Sequence, residues 1–211
     1  MDKIVVYTAN FGWYDKPREP VYHEGVRYIY FTDTKHESNV WEVVLSDITA
    51  KPIRAARKRK ILSHKFVGDA SYTIWLDANI RLLADPITLC ETYLEHSDMA
   101  LFGHPYRDCV YDEADVCISL GKGDLSIIES QVEHYESVGI PHHVGIMETG
   151  FILRRHTPQI AEFNEVWWDE VDEWSTRDQI SFPVACHKTG MEYEVIPGNV
   201  RRWDAVDYAW H

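Results

Sequence analysis

The most informative part of this 211-residue sequence is an apolar run that ends in two oxygen-bearing side chains. Residues 71–76 are rich in β-forming types and lead directly to Asp77 and, two positions later, to Asn79. Side chains two positions apart in an extended chain point to the same side, so these two could bind one hard cation, Mn²⁺ or Mg²⁺. Such an ion would neutralise a diphosphate and help it to leave. The alternative is an Asx-type turn that closes the strand.

A second group of candidates lies on a basic segment. Residues 53–66 contain neither Gly nor Pro and are rich in helix-forming types, which predicts a helix that begins after Pro52. Arg54 and Arg57 would lie near its start, where backbone N–H groups also favour anions, and Lys60 follows one turn later. Guanidinium groups there could hold phosphates. Salt bridges with the acidic C-terminal half are the alternative.

Two further acidic residues are candidates. Asp178 lies in an Arg177-Asp178-Gln179 segment, where a buried carboxylate could orient a sugar hydroxyl or stabilise developing positive charge. Its alternative role is to cap the next helix. Glu148 lies in a turn flanked by glycines, which either presents it to a cleft or is only a turn.

Charge and missing motifs exclude several classes of function. The formal net charge is −13, and the acidic excess is concentrated in the C-terminal half. Proteins that bind nucleic acid non-specifically usually have a basic surface, so we do not expect duplex DNA as a partner, although a modified base in a local groove stays open. The P-loop, GxGxxG, GxSxG and HExxH motifs are absent from the sequence.

Three features of the sequence bear on localisation and on metal binding. No run of about 18 apolar residues occurs, and the first nine residues resemble a strand without a cleavage site, so we expect a cytoplasmic protein. The four cysteines form no CxxC pair, which indicates buried, reduced thiols rather than a zinc ribbon. His142 and His143 are adjacent, so their side chains are expected to point apart and not to share a metal.

The order of predicted elements indicates one α/β domain over residues 1–211 with a mixed, mostly parallel sheet flanked by helices. Strands are predicted at residues 3–9, 28–32, 40–45, 72–76, 99–103, 150–153 and 192–196. Helices are predicted at residues 53–66, 86–96, 112–119, 124–137, 158–174 and 178–187. Ligands of such sheets bind outside the carboxyl ends of the strands, near a switch in strand order. The residues to inspect are therefore Thr8, Ala9, Asn10, Asp33, Asp77, Ala78, Asn79 and His104.

Taken together, these segments resemble a known family. The resemblance rests on their order, which covers residues 4 to 186: Tyr7-Thr8-Ala9 with Phe11-Gly12, Phe31-Thr32-Asp33, Arg54-x-x-Arg57-x-x-Lys60 with His64, Ile74 to Asn79, His104-Pro105-x-Arg107-x-Cys109-x-Tyr111-x-Glu113, Gln131-x-x-x-Tyr135, Glu148, and Arg177-Asp178-Gln179. This order is similar to that of the glycosyltransferase-like family once catalogued as domain of unknown function 616.

The resemblance implies a GT-A-like (Rossmann-like) domain that binds a nucleotide-diphosphate sugar, a UDP-sugar by preference, and transfers the sugar to a hydroxyl acceptor with retention. It implies that Asp77 and Asn79 hold Mn²⁺ or Mg²⁺, and that Asn79 replaces the second acid of the related Asp-x-Asp motif. A histidine near the C-terminus, His211 or alternatively His187, is implied as a further ligand. It further implies that Asp178, Glu148 and Arg177 are catalytic. The implied donor-binding residues are Thr8, Ala9, Asn10, Phe11, Asp33, Arg54, Arg57, Lys60 and Gln179.

Two other functions are compatible with the same residues. A metal-dependent hydrolase of nucleotide sugars or phosphoesters would use the Asp77 site without an acceptor. A non-catalytic nucleotide-sugar or carbohydrate-binding module would fit the Asn at position 79 and the many aromatic residues.

Overall fold

The computed structural model describes residues 3–210. Its strands are β1 (Ile4–Asn10), β2 (Val26–Thr32), β3 (Glu42–Leu45), β4 (Tyr72–Leu76), β5 (Ile80–Leu82), β6 (Met99–Gly103), β7 (Met147–Arg155), β8 (Glu194–Ile196) and β9 (Val206–Tyr208). Its helices are α1 (Pro52–Ile61), α2 (Ser63–Phe66), α3 (Pro86–Tyr93), α4 (Val110–Ser119), α5 (Leu125–Ser137), α6 (Pro158–Glu173) and α7 (Asp178–Thr189), with a short 3-10 helix at Val200–Arg202.

Within the described residues, seven strands form one sheet in the order β3-β2-β1-β4-β7-β6-β8. The pairs β1–β2, β2–β3, β1–β4 and β6–β8 are parallel, whereas β7 is antiparallel to both of its neighbours. The chain moves to one side of β1 to add β2 and β3, and then to the other side to add β4. The switch in strand order therefore lies between β1 and β4, where ligands of open α/β sheets bind.

The sheet separates two apolar layers. In β1, Val5 and Tyr7 belong to one buried cluster, and Ile4 and Val6 belong to the other, as the two-residue period of a strand requires. The first cluster packs under α1, α6 and α7, and the second packs under α3 and the C-terminal segment. The prediction of a single α/β domain with a mixed, mostly parallel sheet is confirmed. No helix within residues 3–210 is both long and apolar enough to span a membrane.

The predicted helix at 53–66 is wrong in one respect, because the chain leaves helical geometry at Leu62 and forms α1 and α2 instead. The cause is a buried arginine from β7. Arg154 donates hydrogen bonds to the carbonyl oxygens of Lys60 at 2.7 Å and of Ile61 at 3.0 Å. Tyr7 also donates to the Lys60 carbonyl at 2.8 Å. These tertiary partners satisfy carbonyls that a continuous helix would have used itself.

The small antiparallel pair of β5 and β9 is absent from the predicted elements. Each strand has only three residues, too few for a periodic pattern to be recognised in the sequence. The pair is important because it brings the C-terminal segment next to the turn that follows β4.

Candidate functional site

A cavity of about 540 Å³ opens at the switch point between β1 and β4. A smaller cavity of about 150 Å³ continues from it, because Arg57, Asp77, Arg177 and Tyr208 line both. The larger cavity is also lined by Ala9, Asn10, Phe11, Pro52, Trp75, Asn79, Lys122 and Thr176. The smaller is also lined by Lys60, Glu148, Thr149, Asp178, Gln179 and Arg201. The end of β4, the basic helix and the Arg-Asp-Gln turn thus meet at one hollow.

Asp77 presents its carboxylate to this hollow. The turn after β4 is closed by backbone groups, since the Ile80 N–H donates to the Asp77 carbonyl at 2.9 Å. The side chain is 37% exposed, and its Oδ1 accepts a hydrogen bond from Trp75 Nε1 at 2.9 Å. The Asp77 carboxylate is therefore available to a ligand, whereas an Asx-type turn would have used it for the backbone.

Asn79 lies two residues further on and is 7% exposed. Its Nδ2 donates to the Ala209 carbonyl at 3.0 Å, and the Ala209 N–H donates back to the Asn79 carbonyl at 3.0 Å. Asn79 therefore lines the cavity and also fixes the C-terminal segment beside it.

Asp178 is the centre of a buried ionic network. Its carboxylate contacts Arg57 Nε at 3.0 Å and Lys60 Nζ at 2.5 Å. Thr149 Oγ1 donates to Asp178 Oδ2 at 2.9 Å and accepts from Lys60 Nζ at 3.0 Å. Burial alone would raise the pKa of Asp178, but the charges of Arg57 and Lys60 outweigh it and hold the pKa far below its usual value. The two cations therefore favour the ionised form of the Asp178 carboxylate.

Asp178 is also the first residue of α7, and Arg177 is the N-cap residue. The Asp178 side chain therefore does not cap α7. Its oxygens contact two cations and a threonine rather than the backbone of that helix. A carboxylate in the first turn of a helix is still stabilised by the helix dipole.

Glu148 lies at the start of β7 and is 3% exposed. Its Oε1 is paired with Arg201 Nη1, while its buried Oε2 has no hydrogen-bond partner in the part of the chain that the structure describes. Burial raises the pKa of Glu148 above its usual value, the positive charge of Arg201 opposes the rise, and nearby Asp77 adds to it. A buried carboxylate oxygen without a partner is costly, so this oxygen is positioned for a hydroxyl or a cation that enters the cavity.

The two neighbours of Asp178 in the sequence have different environments. Arg177 lines both cavities, and its Nη2 lies 3.6 Å from Glu113 Oε1. Gln179 lines the smaller cavity and donates to the Met147 carbonyl at 3.1 Å. These contacts with the surrounding protein hold both side chains in place at the edge of the cavity.

Of the residues predicted at the first strand end, Ala9, Asn10 and Phe11 line the larger cavity. Thr8 does not line it, and its hydroxyl oxygen is buried without a hydrogen-bond partner among residues 3–210. Asp33 does not line it either, since its carboxylate accepts from the Gly12 N–H at 3.0 Å and so holds the loop after β1. Thr8 and Asp33 thus lie outside the lining of this cavity, and their contact with a nucleoside stays a prediction.

Arg54 also lies outside the cavity. It is ion-paired with the Asp172 carboxylate, donates to the Asp172 carbonyl at 2.8 Å and lies 5.6 Å over the Trp168 ring. Steps of three residues rotate each side chain by about 60° around a helix, so Lys60 and Arg57 face the cavity while Arg54 turns towards α6. The salt-bridge alternative describes Arg54 correctly. His211 lies outside the described residues.

Several residues that line the cavities were missed by the sequence reasoning. Thr149 follows Glu148 directly and could have been found from it, but Arg201, Lys122 and Tyr208 come from segments without a motif. Only the tertiary structure brings these segments to the end of β4.

Comparison with known proteins identifies the family. Residues 27–196 match the family described as TOD1/MUCI70, glycosyltransferase-like domain. Among curated proteins of Arabidopsis thaliana, the chain is 30% identical to "Probable hexosyltransferase MUCI70", over 85% of this chain and 36% of the relative. It is 26% identical to "Alkaline ceramidase TOD1", over 85% of this chain and 47% of the relative. The chain thus spans between a third and a half of the length of these relatives.

Among solved structures, two of the glycosyltransferase GlyE from Streptococcus pneumoniae TIGR4 align with TM-scores of 0.46 and 0.49 at 10% identity. Both alignments cover 93% of this chain and 45% of that chain. The family match covers most of the sequence and includes Arg57, Asp77, Glu148 and Asp178, all of which line the cavities. The chain belongs to the TOD1/MUCI70 glycosyltransferase-like family, formerly domain of unknown function 616, as the order of its motifs predicts.

Proposed function

We propose that this chain is a metal-assisted glycosyltransferase domain that moves a hexosyl or pentosyl unit from a nucleotide-diphosphate sugar, preferably a UDP-sugar, to a hydroxyl acceptor. The acceptor is a glycan, a lipid-linked sugar or a modified nucleobase, and the anomeric configuration is retained. The observation that carries the proposal is the convergence of Asp77, Arg57 and Asp178 on one cavity at the topological switch point.

The cationic lining of the cavity fits a diphosphate. Arg57, Arg177 and Lys122 line the larger cavity in a chain whose net charge is −13. Negative charge develops on the leaving diphosphate as the glycosidic bond breaks, and fixed cations lower the energy of that state. Arg57 also contacts Asp178, so one guanidinium links the proposed phosphate site to the proposed sugar site.

The oxygen donors beside the diphosphate site fit a hard divalent cation. Asp77 and Asn79 would hold Mn²⁺ or Mg²⁺, and both residues line the larger cavity. When bound, the ion supplies additional positive charge to the leaving diphosphate.

The two buried acids would then serve the transferred sugar. Asp178 stays ionised among Lys60, Arg57 and Thr149, so it accepts hydrogen bonds from hydroxyl groups and stabilises positive charge that develops at the anomeric carbon. Glu148, with its raised pKa, accepts a hydrogen bond from a hydroxyl of the donor sugar or of the acceptor.

Calorimetry with a panel of nucleotide sugars, with and without Mn²⁺, tests the proposal first. We expect Mn²⁺-dependent binding of a UDP-sugar and no comparable binding of the free sugar. Asp77→Ala should abolish the Mn²⁺ dependence and leave the thermal unfolding transition intact. The matched control is Asp69→Ala, which removes an exposed acidic charge from a residue that lines neither cavity. Retained Mn²⁺-dependent affinity in Asp77→Ala would contradict the metal assignment.

Turnover separates the transferase from the alternatives. A transferase releases the nucleotide only as fast as an acceptor is glycosylated, as mass spectrometry of the products would show. A nucleotide-sugar hydrolase releases free sugar together with the nucleotide, with no effect of acceptors. Donor binding without any turnover indicates a binding module.

The relative named as an alkaline ceramidase gives a specific reason to test a second reaction. Incubation with an N-acyl sphingosine, followed by measurement of released fatty acid, tests amide hydrolysis directly. We expect none, since the cavity is lined by charged and hydrogen-bonding groups that suit a sugar diphosphate.

A further inference from the structure

A second cluster of potential ligands lies where α4 begins, apart from the cavities described above. The cluster consists of Cys109, Asp112 and His143, and one ligand atom of each lies within 4.8 Å of those of the other two. Cys109 is buried, and the other two residues are exposed. None of the three lines the cavities at the switch point.

Two contacts show that the histidines of this segment are arranged around the Cys109 region. His143 Nδ1 lies 2.8 Å from Asp108 Oδ1, which as a carboxylate can only accept, so Nδ1 carries the proton and Nε2 of the neutral ring keeps its lone pair. A carboxylate in that position is the usual partner of a metal-binding histidine. His142 Nδ1 lies 3.6 Å from Cys109 Sγ.

Although His142 and His143 are adjacent, both side chains lie close to the start of α4. His143 has a left-handed backbone, with φ of 56°, which turns its side chain back towards α4. The His142 ring packs against Tyr111 with centroids 4.3 Å apart. The Gly145 N–H donates to the Asp108 carbonyl at 2.8 Å, which fixes the segment against the start of α4.

We propose that Cys109, Asp112 and His143 bind one Zn²⁺ ion, with His142, whose Nδ1 lies 3.6 Å from Cys109 Sγ, as a fourth donor. A thiolate, imidazoles and a carboxylate form a ligand set that zinc prefers, whereas the oxygen donors at Asp77 suit harder ions. With Zn–S of about 2.3 Å and Zn–N of about 2.0–2.1 Å, tetrahedral geometry places sulfur and nitrogen about 3.6 Å apart. Cys109 and His142 already have this separation.

The remaining adjustment is small. The ligand atoms of Asp112, His143 and Cys109 lie within 4.8 Å of one another, so at most about 1.5 Å of movement is needed for tetrahedral spacing, and Asp112 and His143 are exposed side chains that can move. The ion would fasten the segment before β7, the strand that carries Glu148, to the start of α4. If Zn²⁺ binds the folded chain and not the unfolded chain, it also raises the free energy of unfolding by mass action.

Titration of the reduced, metal-free protein with Co²⁺ and then Zn²⁺ tests the proposal. We expect a thiolate-to-cobalt charge-transfer band that appears at one equivalent and disappears when Zn²⁺ displaces Co²⁺. Cys109→Ser should remove the band, and His143→Gln should weaken Zn²⁺ binding by about tenfold or more. Asp77→Ala should leave both unchanged, so failure of this site and failure of the proposed donor site are distinguishable.

Matched controls exist for both substitutions. His96 lies beyond the end of α3, is 85% exposed and is not part of the cluster, so His96→Gln should keep the affinity for Zn²⁺. Cys186 is not part of the cluster either, so Cys186→Ser should keep the band. Absence of the band in the parent protein, its persistence in Cys109→Ser, or equal Zn²⁺ affinity in His143→Gln and His96→Gln would each overturn the proposal.

Discussion

Replacement of Asp178 by Asn should destabilise the protein strongly, because it leaves a buried ammonium group without its main partner. The side chains of Lys60 and Asp178 are 1% and 3% exposed, and their charged atoms are 2.5 Å apart. Removal of one member of a buried ion pair costs about 3–5 kcal/mol. Asp77, at 3.7 Å from Lys60 Nζ, compensates only in part.

The cost of deprotonating Lys60 sets an upper limit on the loss of stability in Asp178→Asn. Without Asp178, Lys60 can become neutral, and deprotonation at pH 7 from a usual pKa of about 10.4 costs about 4.6 kcal/mol at about 1.36 kcal/mol per pKa unit. The free energy of unfolding should therefore fall by about 3–4.6 kcal/mol. In Asp178→Asn the unfolded chain binds the Lys60 proton more tightly than the folded chain, so stability should rise between about pH 7 and pH 10.

Guanidinium-induced unfolding, followed by tryptophan fluorescence at several pH values, measures both effects. Lys60→Met combined with Asp178→Asn removes both charges, so the double variant should lose less than the sum of the single losses. Glu42→Gln is the control for an exposed pair, since Glu42 and Arg27 are each 50% exposed, and it should cost less than about 1 kcal/mol. A loss in Asp178→Asn no larger than in this control, or additive losses in the double variant, would refute the reasoning.

Three further predictions concern structural residues. Tyr135 is fully buried and donates a 2.7 Å hydrogen bond to a glutamate of α6, so Tyr135→Phe should lower the free energy of unfolding by about 1–3 kcal/mol in chemical denaturation. Gly12 has φ of 68°, and a Cβ there would lie 3.0 Å from Pro52 Cβ, so Gly12→Ala should lower the melting temperature more than Gly25→Ala, where φ is 81° but the space is open. Equal shifts would contradict the steric part of the argument. Burial lowers the pKa of His156 to about 4, with smaller effects of neighbouring charges. As pH drops from about 6.5 to 4, the unfolded chain therefore takes up a proton on His156 that the folded chain does not, and the free energy of unfolding should fall. His156→Gln should show a smaller fall in melting temperature between pH 7 and pH 5.

The sequence predicted the order and type of most elements because their patterns are local. β1 and β4 are short apolar runs that end at Asn10 and Leu76, and α6 follows the helical period with Thr157 as its N-cap. The break at Leu62 was not predictable, since it depends on Arg154, which is 92 positions further along the chain. β5 and β9 were missed because three-residue strands have no readable period.

For the site, the sequence identified Asp77, Arg57, Glu148 and Asp178 by residue type and by position after strands or at helix starts. It did not decide which members of a motif face the cavity. The three-residue spacing of Arg54 and Arg57 allowed both to bind phosphate, and only the packing of α1 against α6 turned Arg54 towards Asp172.

By itself, then, the sequence determined the α/β class, the family and several of the residues that line the cavities, because these follow from local periodicity and from the order of motifs. The tertiary structure alone decided the ionisation of Asp178, the unpartnered oxygen of Glu148 and the meeting of Cys109 with His143. Each of these depends on which distant segments come together and on how deeply they bury a side chain. Both are set only when the chain folds.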